Sequence, residues 1–202
     1  NKTADNLAEM FVENFKRYSG HHIIPLSSPQ GSLTVIAAQN GIGKTTTLDA
    51  IHIALYGKRG IRSRYPKIRF NDWLTNAYSI EASDTDSSMT FALELECTIH
   101  GVVRIERTYW LLDEEDGGII EEFGITIDGR PLQIEDGERR NNVSERWVEA
   151  FMPLSVMRRF LVDGERLSEL DPRNVDDEMA AGIDDLLGIG ALDRLTHHLN
   201  SL

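Results

Sequence analysis

The residues "AQNGIGKT", Ala38 to Thr45, have the types and spacing needed to hold a polyphosphate. They fit the phosphate-binding loop pattern of nucleotide-using proteins, with Ala38 in place of the usual first glycine. Gly41 and Gly43 let the backbone curl tightly, so that successive N–H groups around Asn40 and Ile42 point at the β- and γ-phosphates. Lys44 adds a compact, movable positive charge for the same phosphates. The Thr45 hydroxyl suits a hard Mg²⁺ ion, and Thr46 opens a helix whose N-terminal dipole favours an anion.

Such a loop works only between a strand and a helix that fix its ends. Ser32 to Ala37 ("SLTVIA") is a short β-branched run of the kind that becomes a buried strand. After the loop, Leu48, Ile51, His52 and Leu55 recur at three- and four-residue spacing and give the helix a buried face. Further on, Met89 to Leu112 alternates apolar and polar residues around a His-Gly pair, which predicts a β-hairpin. Gly124 to Leu132 predicts a second hairpin with Asp128-Gly129 at its tip. A helical lobe is expected after about Glu145. The expected domains are therefore a core lobe over 1–144 and a helical lobe over 145–202.

Charge and composition narrow the function. The chain of 202 residues has 21 Lys and Arg against 33 Asp and Glu, a net charge of −12, which argues against a general nucleic-acid coat. Charge can still be segregated. Lys58 to Arg69 ("KRGIRSRYPKIR") holds six basic residues and no acidic one, as a solvated loop or as a contact for DNA, the nucleotide or an opposing subunit. Cys97 is the only cysteine, so no intrachain disulfide is possible, and no apolar run approaches the ~20 residues of a membrane span. These features point to a cytoplasmic protein with no membrane partner.

Beyond the loop itself, the flanking residues resemble the heads of SMC-like ABC ATPases. The resemblance rests on Asn14-Phe15-Lys16, then Asn40-Gly41, Gly43 to Thr46, Leu48 to Ile51, and Leu55 to Gly57. Within these heads the chain is most similar to the DndD family of DNA-phosphorothioation ATPases. Arg107 to Trp110 is similar to an "R-x-W" strand of that family, and Phe151 to Leu170 resembles its "DGE" segment through Asp163-Gly164-Glu165.

That resemblance implies an α/β fold: a P-loop ATPase head, N-terminal lobe, with an antiparallel β-layer and a helical lobe leading into a coiled coil. It implies ATP and Mg²⁺ on Asn40 to Thr46, with Lys16 beside the nucleotide. Asp163 takes the place of a glutamine that touches Mg²⁺ in such heads; it serves the metal, or it caps the helix starting near Glu165. The partners implied are a second ATPase head in a homodimer, DNA, and other DNA-modification proteins. The implied role is an ATPase in DNA phosphorothioation with ATP-driven head dimerisation. The alternatives are a DNA-break-repair or phage-defence head, or an ATP-dependent assembly switch without required turnover.

Other motifs bound this reading. "YWLLDEEDGG" imitates a Walker B strand, but Asp113 and Glu114 sit in a glycine-ended acidic turn after a hairpin strand and are not counted as catalytic. No "LSGGQ"-like signature occurs, so the catalytic residues are unassigned and the chain reads as the N-terminal half of a head. Leu192, Leu195, Leu199 and Leu202 have the spacing of a beginning heptad seam, or of an ordinary amphipathic helix. Weak ATP binding and very slow hydrolysis are expected of the chain alone. His21-His22 and His197-His198 lack zinc-ligand spacing and are expected at the surface, while 84–88 and 137–142 are expected to be loops.

Overall fold

A computed structural model of the protein describes residues 6–27, 44–79, 87–97, 100–112, 118–135 and 137–160. The expected strand over 32–37, the loop residues Asn40 to Gly43, Asp113 and Glu114, Asp163, His197-His198 and the C-terminal leucine seam lie outside these residues. The chain divides into two compact units, Asn1–Val148 and Glu149–Leu202.

In the first unit, alternation of apolar and polar residues builds an antiparallel sheet. Its strands are β1 (Asn6–Phe15), β2 (Tyr18–Pro25), β3 (Ser88–Cys97), β4 (Gly101–Leu111), β5 (Ile119–Ile127) and the two-residue β6 (Arg130–Pro131). They pair in the order β2-β1-β3-β4-β5-β6, every neighbour antiparallel. Both predicted hairpins form: Cys97 pairs with Gly101 across the first turn and Ile127 with Arg130 across the second. Gly101 has φ +76°, and a Cβ there would lie 2.5 Å from an Asp128 carboxylate oxygen that accepts the Val102 N–H, so glycine is required at that turn.

One face of the sheet carries Met10, Val12, Phe91, Val103, Ile105, Arg107, Tyr109, Phe123 and Ile125, all buried. Helices α1 (Lys44–Arg64) and α2 (Phe70–Ala77) complete the core of this unit. A line of edge-to-face and tilted rings runs Trp73–Phe15–Phe91–Tyr109–Phe70, with centroids 4.9–6.3 Å apart. Each such ring contributes on the order of 2–3 kcal/mol through burial alone. The buried face of α1 is broader than its apolar spacing suggests: every residue from Asp49 to Gly57 is buried, and Leu48 is only partly so.

Three expectations are corrected. The basic stretch from Lys58 is a loop only over Tyr65 to Arg69: Lys58 to Arg64 form the last two turns of α1, because the chain resumes helix after a break at Gly57 (φ 51°, ψ −131°). Helix α3 (Arg140–Phe151) starts earlier than about Glu145, so Arg140 to Asn142 are helical, and Ser88 already belongs to β3. The early start has a physical reason: the Asn141 side chain accepts from the Phe123 N–H and donates to the Glu121 carbonyl at 3.0 Å, continuing the ladder beyond β5. Third, His22 is half-buried, with its ring 2.9 Å from the Ser19 carbonyl, whereas its neighbour His21 is exposed beside Glu13.

The described part of the second unit holds the end of α3 and the short helix α4 (Leu154–Phe160), entered through Pro153, whose carbonyl accepts from Val156 and Met157. Among the described residues no helix is long and apolar enough to cross a membrane.

Candidate functional site

The candidate nucleotide site centres on the first turns of α1. The helix begins slightly earlier than the expected Thr46, since Lys44 is already helical. Thr45 is partly exposed on the first turn, while Thr46 and Thr47 are buried at 9% and 6% exposure. A partly exposed threonine hydroxyl at a helix start fits one oxygen position of a hard divalent cation, with phosphate and water left to supply the others. Asp163, the other expected metal residue, lies outside the described residues, and among the described ones no cluster of three His, Cys, Asp or Glu could hold a metal by itself.

Lys16 reaches this helix because the Asn-Phe-Lys segment is folded in a specific way. The pairing of β1 with β2 shifts register between Glu13 and Phe15. Asn14 takes φ +52°, and its side chain donates to the Ser88 carbonyl (3.1 Å) and accepts the Gly20 N–H (3.0 Å). A left-handed asparagine held on both sides is a stable way to make a bulge. Phe15 is fully buried and anchors the turn in the aromatic line. Lys16, also at φ +52°, donates its N–H to the Ala77 carbonyl at 2.6 Å.

The Lys16 ammonium then meets Asp49 of α1 at 2.7 Å. Asp49 is wholly buried, and it also takes Arg64 Nε at 2.8 Å and the Tyr65 hydroxyl at 3.0 Å from each carboxylate oxygen. Burial and Asp49 together push the Tyr65 phenol up, so Tyr65 is held as a proton donor. Burial works against the Arg64 charge, but Asp49 and Tyr65 together outweigh it and its pKa is raised. The Lys16 ammonium also lies 5.2–5.3 Å from the rings of Phe15 and Trp73, and Trp73 stacks on Tyr65. The Tyr18 hydroxyl, 3.3 Å from that of Thr47, places the β1–β2 turn against the first two turns of the helix.

A second network sets where the first part of α1 ends. Arg107, 1% exposed, donates Nε to the Ala54 carbonyl and Nη2 to the Leu55 carbonyl, both at 3.3 Å. It is ion-paired with Glu121 and, at 3.0 Å, with Glu145, and its guanidinium carbon stands 3.5 Å from the Phe123 ring centre. Burial alone would lower its pKa; Tyr109, Glu121 and Glu145 outweigh that and hold it charged. Gly57 is required at the break, since a Cβ would lie 2.8 Å from Arg107 Nη1 and 2.9 Å from the Tyr109 hydroxyl.

Of the expected site residues, Lys16, Lys44, Thr45 and Thr46 fall on described backbone, with Lys16 beside the helix that carries the other three. Asp49, Arg64, Tyr65 and Arg107 join them without having been expected there. Asp49 had a signal, standing four residues after Thr45 and so on the same helix face. Arg107 had one too, a charge at an inward position between Ile105 and Tyr109. Within the basic stretch Arg64 is buried on Asp49, whereas Lys58, Arg59, Arg62, Lys67 and Arg69 are exposed. The opposite face of the sheet holds a cavity of about 360 Å³ lined by Arg104, Trp110, Gly124, Leu132 and Arg140, away from α1.

Comparison with known proteins agrees with this architecture. Among curated proteins none matches the chain. A chain solved in work on the structural biochemistry of ATP-driven dimerization and DNA-stimulated activation of SMC ATPases matches with a TM-score of 0.54 at 18% identity. The match covers 86% of this chain and 98% of that one, and shows the α/β fold of an SMC-like ATPase head. Residues 9–152 match the AAA domain family, a span that takes in most of β1, the phosphate loop, α1 and the rest of the antiparallel sheet. The chain therefore belongs to the AAA domain family and shares the α/β fold of SMC-like ATPase heads.

Proposed function

We propose that the chain is the ATP-binding part of an SMC-like ATPase that acts on DNA, and that its pathway is DNA phosphorothioation. The observation that carries the nucleotide reading is the convergence of Lys16 and the phosphate-loop helix: a cation from the β1–β2 turn is held beside the first turns of α1. ATP would lie on Asn40, Gly41, Ile42, Gly43, Lys44, Thr45 and Thr46. The backbone N–H groups and the Lys44 ammonium bind the β- and γ-phosphates, and the α1 N-terminus adds its partial positive charge.

Thr45, with Asp163 as a second oxygen donor, would hold Mg²⁺, which when bound with ATP neutralises phosphate charge during transfer to water. The protein's own contribution is positioning. Arg107 and Gly57 fix the end of the first part of α1, and Asn14 and Phe15 fix the turn that delivers Lys16. Hydrolysis needs residues that close the γ-phosphate and orient the attacking water. Those would come from a second head, so that ATP binding favours the dimer and hydrolysis releases it. The neighbouring SMC structure, described in terms of ATP-driven dimerization and DNA stimulation, supports this assembly.

The phosphorothioation pathway rests on the resemblance of Arg107 to Trp110 and of Asp163-Gly164-Glu165 to the DndD family. Its test is genetic and chemical. Cells carrying Lys44→Ala at this locus should lose phosphorothioate linkages from genomic DNA, read by mass spectrometry of nuclease-resistant dinucleotides. Unchanged phosphorothioate content would reject the pathway while leaving the ATP reading intact.

A further inference from the structure

Two cations share one buried carboxylate in the cluster around Asp49, Lys16 at 2.7 Å and Arg64 at 2.8 Å. The two cations are not equivalent. Arg64 is 5% exposed and bound through Nε, whereas Lys16 is 30% exposed on a flexible stem. Nor does the carboxylate depend on Lys16 for its second oxygen. The Tyr65 hydroxyl stands 3.0 Å from both oxygens but has a single proton, so it can serve whichever oxygen lacks a donor.

From this geometry we propose that Lys16 is a shared cation, parked on Asp49 without nucleotide and transferred to the ATP phosphates on binding, with Tyr65 the positioning residue that takes over its place on the carboxylate. The inference rests on the nucleotide reading above. Asp49 follows Thr45 by four residues and lies on the same face of the helix, just over one turn or ~6 Å further along its axis. A lysine side chain covers that distance by changing rotamers, with no movement of the backbone. When Lys16 leaves, Arg64 keeps one Asp49 oxygen and the Tyr65 proton settles on the other, so no buried charge is orphaned. Tyr65 is suited to this because its phenol stays protonated in the cluster and its ring is held by the stack on Trp73.

The experiment is a double-mutant cycle on MgATP affinity, measured by calorimetric titration of the 202-residue chain. Lys16→Met removes the shared cation and should weaken MgATP binding about tenfold or more, the worth of one charged hydrogen bond. Tyr65→Phe keeps the stack on Trp73 but removes the replacement donor; it should weaken binding about three- to tenfold when Lys16 is present. In the Lys16→Met background the same Tyr65→Phe change should have no effect beyond about twofold, because no lysine departs. A purely structural tyrosine would lower affinity equally in both backgrounds, and that additive result would overturn the proposal. Equal MgATP affinity of Lys16→Met and the wild type would overturn it as well. Lys16→Gln supplies a second neutral variant should Lys16→Met fail to fold. A wild-type chain that takes up no MgATP would overturn the nucleotide reading itself, and the inference with it.

Discussion

Arg107→Met tests whether the phosphate-loop helix is held at the break in its middle, beside Gly57. Arg107 is 1% exposed and supplies donors to two carbonyls of α1, at Ala54 and Leu55, and to Glu121 and Glu145. Methionine fills much of the same volume, so little of the loss would come from a cavity. The carboxylates of Glu121 and Glu145 are 33% and 34% exposed and can rehydrate, which discounts their share. What remains is two helix-end carbonyls losing a buried donor and Phe123 losing its stacked cation. Breaking a buried pair costs about 3–5 kcal/mol, and the exposed carboxylates place this case near the lower end, about 3 kcal/mol. For a chain of this size that lowers Tm by about 6–12 °C. Arg107→Lys should recover only part of it, since one ammonium cannot reach all four acceptors. The assay is thermal unfolding followed by circular dichroism. A Tm for Arg107→Met within about 2 °C of the wild type would refute this role for the network.

Gly57→Ala should cost about 3 kcal/mol by chemical denaturation, from a backbone conformation that favours glycine and from displacement of Arg107; a loss under about 1 kcal/mol would mean the break relaxes freely. Stability should fall in alkali through Tyr109. Burial, with Glu121 adding to it and Arg107 opposing, pushes its phenol well above the ordinary 10.0. The folded state thus holds a proton that the unfolded chain releases, so the contribution is complete below pH about 10 and lost as pH rises beyond it. Tm should therefore drop more steeply above that pH in the wild type than in Tyr109→Phe, and parallel curves would count against this. If the exposed basic residues bind DNA, neutralising Arg62 and Lys67 should reduce the slope of log affinity against log salt by about 0.9 for each phosphate no longer neutralised. Arg64 must be left in place, because it belongs to Asp49.

How much of the fold and site is legible in the residues themselves depends on whether a pattern is local. The hairpins are readable because alternation and the Asp128-Gly129 turn are properties of neighbouring residues. The helix after the loop is readable from its apolar spacing. The break at Gly57 is not, because a glycine within a helical pattern does not announce a positive φ; only the approach of Arg107 and Tyr109 across the sheet explains it. The basic stretch from Lys58 misleads for a similar reason. Six basic residues in a row of twelve suggest a solvated surface, and nothing nearby in sequence shows that Arg64 turns inward to a carboxylate fifteen residues earlier. The start of α3 depends on Asn141 finding the backbone of β5, a pairing between segments twenty residues apart.

The central claim is that the loop running into α1 binds ATP, and calorimetric titration of MgATP into the wild-type chain and Lys44→Ala tests it most directly. Saturable binding is predicted for the wild type, with Lys44→Ala losing it while its Tm without nucleotide stays unchanged. Equal binding by both chains, or none by the wild type, would contradict the claim.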